Sequence, residues 1–212
     1  IRRQAELFGF GKSISVPLKV TPSVYPRGHD DAQTALTAFG QFDVRVTPMQ
    51  MVMVSAAIAN KGRLMQPNLI ENVLSSNLAS LYAPSPSEYS RPISEKTSGL
   101  LTQMMIDAVA KGVSGNAQIS GVKVAGKTGT AEKPKQGGGY DRDRVVNTFA
   151  CVFPANDPKY VLIVTLDEPT ENTGPNPRRT AGWTAVPVAA EVIRRTAPLL
   201  GLRPQVEVLA PD

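Results

Sequence analysis

Residues 122–131 read Val-Lys-Val-Ala-Gly-Lys-Thr-Gly-Thr-Ala, and their apolar and polar side chains alternate as they do along a β-strand. Two apolar runs rich in β-branched residues follow at 147–153 and 160–166, and a loop that starts at Pro154 and ends at Pro158 joins them. Three strands with short connections favour an antiparallel meander. Because helical patterns precede and follow these strands, the sequence predicts an α+β fold, in which an antiparallel sheet is flanked by helices.

The helices are predicted from capping residues and from the spacing of apolar side chains. One helix ends at Gly9, a second runs from Thr47 to Gly62, a third from Ser94 to Gly112, and a fourth starts near Pro187. The second is apolar nearly all round and is expected to be buried. The third presents one apolar stripe, made of Leu100, Leu101, Met104, Met105 and Ala108. Closely spaced prolines predict an extended crossing segment at 12–46, and 69–74 is a candidate short strand.

The composition excludes several classes of protein. With 212 residues, 42% of them hydrophobic and 19% charged, the chain can form a core and is not disordered throughout. A net charge of +5 on scattered basic residues, with 6% aromatics, does not indicate a nucleic-acid partner. One Cys and one His exclude an internal disulfide and a Cys- or His-rich metal site, so neither metal nor cofactor is predicted. No apolar run is long enough to predict a membrane span.

The beginning of the chain carries its own expectation. Ile1, Ala5 and Phe8 would share one face of a helix, yet neither a starting Met nor an N-cap residue precedes them. We therefore expect the chain to be the C-terminal portion of a longer protein.

One sequence motif is typical of nucleotide-binding proteins. Residues 121–128 fit G-x-x-x-x-G-K-[ST], the phosphate-binding P-loop. A P-loop works between a strand and a helix, because the helix N-terminus helps to hold the phosphates. Here Gly129, Pro134 and three consecutive glycines at 137–139 leave no room for that helix. A P-loop nucleotide-binding protein remains the alternative from a different function class.

The residues at 127–130 fit the edge of a β-strand better than they fit a P-loop. Lys127, Thr128, Gly129 and Thr130 put an ammonium, two hydroxyls and a position without a side chain in succession. Such an edge can pair with an extended peptide, its cation and hydroxyls can bind a carboxylate, and a backbone N–H can face an oxyanion. The alternative is a plain polar turn or an exposed strand end.

At this point the sequence resembles a family. Val124-Ala-Gly-Lys-Thr-Gly-Thr-Ala-Glu132 is similar to the K-T-G strand of penicillin-binding proteins, whose motifs are S-x-x-K, S-x-N and K-T-G. Three segments before it and three after it resemble class B members in the same order: 38–41, 46–50, 57–62, 149–153, 154–160 and 166–169. The likeness extends from about residue 5 to residue 200. We assign 1–202 to the C-terminal part of a transpeptidase domain and 203–212 to a tail.

The resemblance implies a peptidoglycan D,D-transpeptidase on a five-stranded antiparallel sheet, with a serine that attacks stem peptides and is acylated by β-lactams. Lys127, Thr128, Gly129 and Thr130 would bind substrate, and the N–H of Thr130 would form half of the oxyanion hole. The nucleophile would lie upstream, with none in this chain. A catalytically inactive or regulatory relative is the alternative within the fold.

The resemblance also implies partners and a location. The partners would be peptidoglycan stem peptides, β-lactam antibiotics and cell-wall synthesis proteins of the membrane. The location would be the extracytoplasmic face of a bacterial cell membrane, with the anchor outside this chain.

Several other residues imitate functional sites. Ser120-Gly-Val-Lys123 fits S-x-x-K, while Ser114-Gly-Asn116 and Ser75-Ser-Asn77 fit S-x-N. Ser120 precedes a strand, so its lysine would not lie over it on a helix face. We therefore expect none of these serines to be catalytic.

For the remaining candidates a structural role is the simpler interpretation. We expect His29 to be a solvated loop residue and Cys151 a buried, inert thiol. Asp141 and Asp143 are expected at an exposed hairpin tip rather than around a cation. Trp183 is expected to anchor the final helix rather than to stack on a ligand.

Overall fold

The antiparallel sheet expected in the last hundred residues is present in the computed structural model, which describes residues 1–28 and 30–202. The chain divides into two units, Ile1–Ser98 and Gly99–Asp212. The predicted site residues all fall in the second unit. His29 and the tail predicted at 203–212 lie outside the described residues.

The described residues of the first unit form short helices and strand pairs: α1 (Arg2–Leu7), α2 (Asp31–Thr37), α3 (Pro48–Ala59), β1 (Leu64–Met65) paired with β4 (Glu88–Ser90), and β2 (Val73–Leu74) paired with β3 (Ser80–Tyr82). Helix α3 begins as predicted, because the Thr47 hydroxyl accepts a hydrogen bond from the N–H of Gln50 at 3.2 Å and Pro48 occupies the first turn. Its expected burial is confirmed only in part, for Gln50, Met53, Ser55 and Ala57.

Helix α2 corrects the prediction that 12–46 is extended throughout. The Asp30 carboxylate accepts from the N–H of Gln33 at 2.7 Å, and the Gln33 side chain accepts from the N–H of Asp30 at 3.1 Å. This reciprocal capping box starts a helix of 7 residues. The closely spaced prolines stop before it, so they do not prevent it.

The second unit contains the rest of helix α4 (Glu95–Ala110), the sheet strands β5 (Ala125–Pro134), β6 (Tyr140–Phe153) and β7 (Tyr160–Asp167), and helix α5 (Ala185–Thr196). The sheet order is β5-β6-β7, with both pairs antiparallel. The predicted meander is therefore confirmed, and these residues supply three strands of the five that the resemblance implies.

The core of the second unit lies between the sheet and α5. Phe149, Cys151 and Phe153 of β6 pack with apolar residues of α5, among them Ala189 and Ile193. Strand β6 is central because it pairs with both β5 and β7, which leaves β5 at one edge of the sheet among the described residues.

Helix α4 forms where the sequence predicted a helix. Ser94 caps it as predicted, since its hydroxyl accepts from the N–H of Thr97 at 3.1 Å. The apolar stripe is not a buried face, however, because Met105 is buried while Leu100 and Met104 are exposed. Among the described residues, no helix is both long and apolar enough to cross a membrane.

Candidate functional site

A groove of about 580 Å³ lies beside β5 in the second unit. Its lining comes from Thr128 and Thr130 on β5, from the loop 112–116 and from the loop 180–183. Within the described residues β5 pairs only with β6, so its other edge has no strand partner there. Two predicted substrate-binding residues thus line a groove on an edge strand, as binding of an extended peptide requires.

The other two predicted residues, Lys127 and Gly129, do not line this groove. Successive side chains of a strand point to opposite faces, so Lys127 lies on the face opposite Thr128 and Thr130. Lys127 is exposed, and its Nζ donates a hydrogen bond to the carbonyl of Thr128 at 2.5 Å. The structure therefore brings the two threonines together and places the ammonium on the other side of the same strand.

The loop 179–184 is tied to β5 and β6. Thr130 Oγ1 accepts a hydrogen bond from the N–H of Ala181 at 3.1 Å. Asn147, which lies opposite Thr130 on β6, is fully buried, and its Nδ2 donates to the carbonyl of Arg179 at 2.6 Å and to Thr184 Oγ1 at 2.7 Å. The strand that carries the K-T-G motif therefore also holds the wall of the groove.

The loop 112–116 closes against that wall. Asn116 Nδ2 donates to the carbonyl of Gly182 at 2.9 Å. A Cβ on Gly182 would lie 2.7 Å from the carbonyl oxygen of Val113, so only glycine fits this contact. The groove is thus bounded by two loops that touch each other.

Trp183 directly precedes the N-cap residue of the final helix and is 46% exposed, and its role as an anchor of that helix stays a prediction. The guanidinium of Arg178 lies over the indole, with Cζ 3.8 Å from the ring centroid. Arg178 is itself paired with Glu171, its Nη2 lying 2.5 Å from the carboxylate. Hydrogen bonds from Thr173, together with this guanidinium, lower the pKa of Glu171.

The serines that imitate catalytic motifs are unsuited to catalysis. Ser114 is fully buried and does not line the groove, although its partner in the pattern, Asn116, does. Ser120 is exposed in a turn closed by a bridge between Ile119 and Val122, so it is not on a helix. An activated serine needs a base within hydrogen-bond reach, which a turn and a buried loop do not provide here.

Two further expectations are confirmed. Cys151 is fully buried, and burial raises the pKa of its thiol to about 12. Asp141 and Asp143 lie at the start of β6 beside the hairpin turn, as expected for a hairpin tip.

An exposed charge cluster joins the three strands at the hairpin end of the sheet. Lys133 on β5 pairs with Asp167 at 2.5 Å and with Glu168 at 2.8 Å, and Arg144 on β6 also reaches Glu168 at 2.9 Å. Hydrogen bonds to Asp167 and Glu168 raise the pKa of Lys133, while those from Lys133 and Arg144 lower the pKa of Glu168. Because solvent screens these groups, they contribute little to stability.

The P-loop alternative does not fit this geometry. Lys127 and Thr128 lie inside β5, and the strand continues to Pro134 before a turn and a second strand. The helix that directly follows the lysine and threonine of a P-loop is therefore replaced here by strand.

Comparison with known proteins supports the family that the K-T-G motif indicated. The family described as the penicillin-binding protein transpeptidase domain matches residues 1–194. The chain belongs to this family. It is 32% identical over 202 residues to stage V sporulation protein D of Bacillus subtilis, covering 93% of this chain and 30% of the relative. It is also 33% identical over 192 residues to the probable peptidoglycan D,D-transpeptidase FtsI of Caulobacter vibrioides. That match covers 87% of this chain and 31% of the relative.

Solved members of the penicillin-binding protein family share the fold. Penicillin-binding protein 3 of Mycobacterium tuberculosis, complexed with ampicillin, matches with a TM-score of 0.84 and 25% identity over 99% of this chain and 48% of that one. The imipenem acyl-enzyme of penicillin-binding protein A from the same organism matches with a TM-score of 0.76 and 27% identity. That match covers 91% of this chain and 42% of the solved chain. The chain thus spans about a third of its curated relatives and less than half of these solved chains. The predicted family and α+β fold are confirmed.

Sequence reasoning did not identify Asn147, which holds the loop 179–184, or Arg178 and Glu171, whose ion pair lies against the indole of Trp183. Asn147 sits in an apolar run, where a buried polar residue is itself a signal that it has hydrogen-bond partners. Arg178 and Glu171 meet only because the chain folds back between them, with backbone hydrogen bonds of 2.9 Å in both directions. Spacing along the sequence does not predict that contact.

Proposed function

We propose that this chain is the C-terminal part of a peptidoglycan D,D-transpeptidase, which cross-links stem peptides through a serine acyl-enzyme and is acylated by β-lactams. The observation that carries the proposal is the K-T-G strand at an edge of the sheet, with Thr128 and Thr130 lining a groove. Support also comes from relatives named D,D-transpeptidase and from a relative solved as a β-lactam acyl-enzyme.

In the proposed reaction a serine hydroxyl attacks the carbonyl carbon of the D-Ala–D-Ala bond. The tetrahedral intermediate expels D-Ala, and the amine of a neighbouring stem peptide then attacks the acyl-enzyme and releases the serine. The family motif S-x-x-K would supply the serine and its base from sequence before Ile1, because the serines of this chain that imitate the motif lack a suitable setting.

The residues of this chain would bind and polarise the acyl donor. Thr128 and Thr130 would hold the terminal carboxylate with their hydroxyls. The long, exposed side chain of Lys127 would leave the Thr128 carbonyl and bring its ammonium around the outer edge of β5 to the same carboxylate, forming a charge-assisted hydrogen bond. The N–H of Thr130 would donate to the developing oxyanion, together with the N–H of the nucleophile, and losing one such donor costs a factor of about 10²–10³ in rate. Gly129 would let the peptide approach the strand closely.

The substrate also determines where the protein would work. Because peptidoglycan lies outside the cytoplasm, we place the protein at the extracytoplasmic face of a bacterial cell membrane, alongside other cell-wall synthesis proteins. Its stem-peptide and β-lactam ligands would enter the groove from that side.

Covalent labelling with a fluorescent penicillin tests the proposal. The longer natural protein that contains this chain should be labelled, whereas the 212-residue chain alone should not. In the longer protein, Lys127→Ala should lower the acylation rate at least tenfold, because a hydrogen bond to a charged group contributes about 1.5–3 kcal/mol. Lys127→Arg should recover part of the rate. Lys159→Ala, which removes an exposed lysine between β6 and β7, is the matched control.

Two results would contradict the proposal. Labelling of the isolated chain at Ser114 or Ser120 would mean that the nucleophile is not upstream. A longer protein that is folded but takes no label would be an inactive or regulatory relative.

A further inference from the structure

Trp183 is the groove's aromatic residue. Its indole lines the groove beside Thr128 and Thr130 and also a neighbouring cavity of about 550 Å³. It is the chain's single tryptophan, and nearly half of its surface is exposed. Large aromatic side chains that stay exposed at the wall of a concave site are the residues that most often contribute to ligand binding.

The indole is held from the side away from the groove. Arg178 lines the neighbouring cavity but not the groove, so its guanidinium covers the indole on the cavity side. Glu171 fixes that guanidinium, with its carboxylate 2.6 Å from Nε, and the two residues exchange backbone hydrogen bonds. A cation stacked on an aromatic ring stabilises the ring in place.

The backbone at Trp183 is equally constrained. Its N–H donates to the carbonyl of Thr180 at 3.0 Å, and the preceding Gly182 is fixed by Asn116 and by its close contact with Val113. Because the indole is positioned before a ligand arrives, little conformational entropy is lost on binding.

The lining of the groove indicates which part of a ligand would meet this ring. Among the described residues its lining consists of glycines, threonines, Ala181, Val113, Asn116 and Trp183, and none of these side chains is charged. An uncharged peptide segment suits such a surface, since its amide planes and methyl groups pack on an indole while the threonines offer hydrogen bonds.

We propose that Trp183 is a specificity-determining residue that packs against the uncharged peptide portion of the acyl donor bound at Thr128 and Thr130. This inference rests on the proposed function. Arg178 is a positioning residue in this arrangement, because it acts on the ligand only through the indole.

The test compares two acyl donors on the longer natural protein. One is a stem pentapeptide that ends in D-Ala–D-Ala, and the other is a penicillin nucleus without its acyl side chain, which is too small to span the groove. Trp183→Ala should lower the rate constant for the pentapeptide relative to that for the nucleus by about three- to tenfold, the range expected for one aromatic contact. Trp183→Phe should lie between, and Arg178→Gln should shift the ratio in the same direction. Val188→Ala, which removes an exposed apolar residue of α5 that does not line the groove, should leave the ratio unchanged.

The ratio of the two rate constants distinguishes failure of the role assigned to Trp183 from failure of the proposed function. If Trp183→Ala and Trp183→Phe leave the ratio at the wild-type value, the specificity role is overturned, even if both rates fall through a loss of folded protein. If the wild-type protein reacts with neither compound, the proposed function itself fails, and the assignment of Trp183 fails with it.

Discussion

Gly126 and Gly129 lie three positions apart on β5, yet they are glycine for different reasons. A Cβ on Gly126 would lie 2.3 Å from the ring carbon Cζ of Phe149, inside the core. A Cβ on Gly129 would find its nearest neighbour at 3.8 Å, on Thr148, and the backbone there is ordinary strand. Packing within the described residues therefore explains the first glycine but not the second, which supports a ligand as the reason for Gly129.

This difference predicts opposite behaviour of two substitutions. Gly126→Ala should destabilise the fold by about 1–3 kcal/mol, because an added methyl group overpacks the ring of Phe149. Gly129→Val should change the free energy of unfolding little, since a strand accepts valine well, but it should slow acylation by penicillin in the longer protein. Urea unfolding and acylation kinetics on both variants check this. If Gly129→Val is acylated at the normal rate, the ligand does not need to approach the strand closely at Gly129.

At the scale of elements, the groove depends on how the loop 179–184 is attached to the sheet. The Asn147 amide donates to two acceptors of that loop, while Thr130 accepts from its middle. The burial of Asn147 makes these bonds important, because an unmade hydrogen bond in the interior costs more than the bond itself contributes. A residue of the central strand thus controls one wall of a site at the sheet edge.

Asn147→Ala should therefore destabilise the protein by about 1–3 kcal/mol and loosen this loop. Asn147→Asp should act in the same direction, because a carboxylate would face the Arg179 carbonyl without a donor. Trypsin cleavage after Arg178 and Arg179 should become faster in both variants. Asn60→Ala is the matched control, since Asn60 also donates to a backbone carbonyl but is exposed. Unchanged cleavage at the two arginines would show that other contacts hold the loop.

The same scale shows what the sequence can predict. Strand alternation and helix caps are local signals, and they predicted the meander, the start of α3 and the start of α4. The exposure of Leu100 and Trp183 depends on what lies next to them in space, and sequence spacing does not report that. The capping box of α2 was a local signal hidden among turn residues. The candidate site was recognisable as a motif, but the loops 112–116 and 180–183 that line its groove come together only in the folded chain.

Across the whole molecule, the shifted pKa values have two different origins. Glu168, Glu171 and Glu191 have lowered pKa values because cations or hydroxyls bind them near the surface. Cys151 has a raised pKa because the core of the second unit removes its thiol from water. Solvent screens the first kind of shift, so Cys151 should dominate the pH dependence of stability in alkaline solution.

The direction in which stability changes with pH follows from whether the folded or the unfolded chain loses the thiol proton first. Well below pH 9.0, the ordinary pKa of a thiol, the group is protonated in both the folded and the unfolded chain and adds no pH dependence. Between pH 9.0 and about 12 the unfolded chain loses this proton and the folded chain keeps it, so the free energy of unfolding falls as pH rises. The slope approaches about 1.4 kcal/mol per pH unit. Cys151→Ala should lose about 1 kcal/mol less stability than the wild type from pH 9 to pH 10. Urea unfolding of both proteins with reductant present measures this difference. Equal slopes would mean that the thiol ionises as readily in the folded core as in the unfolded chain.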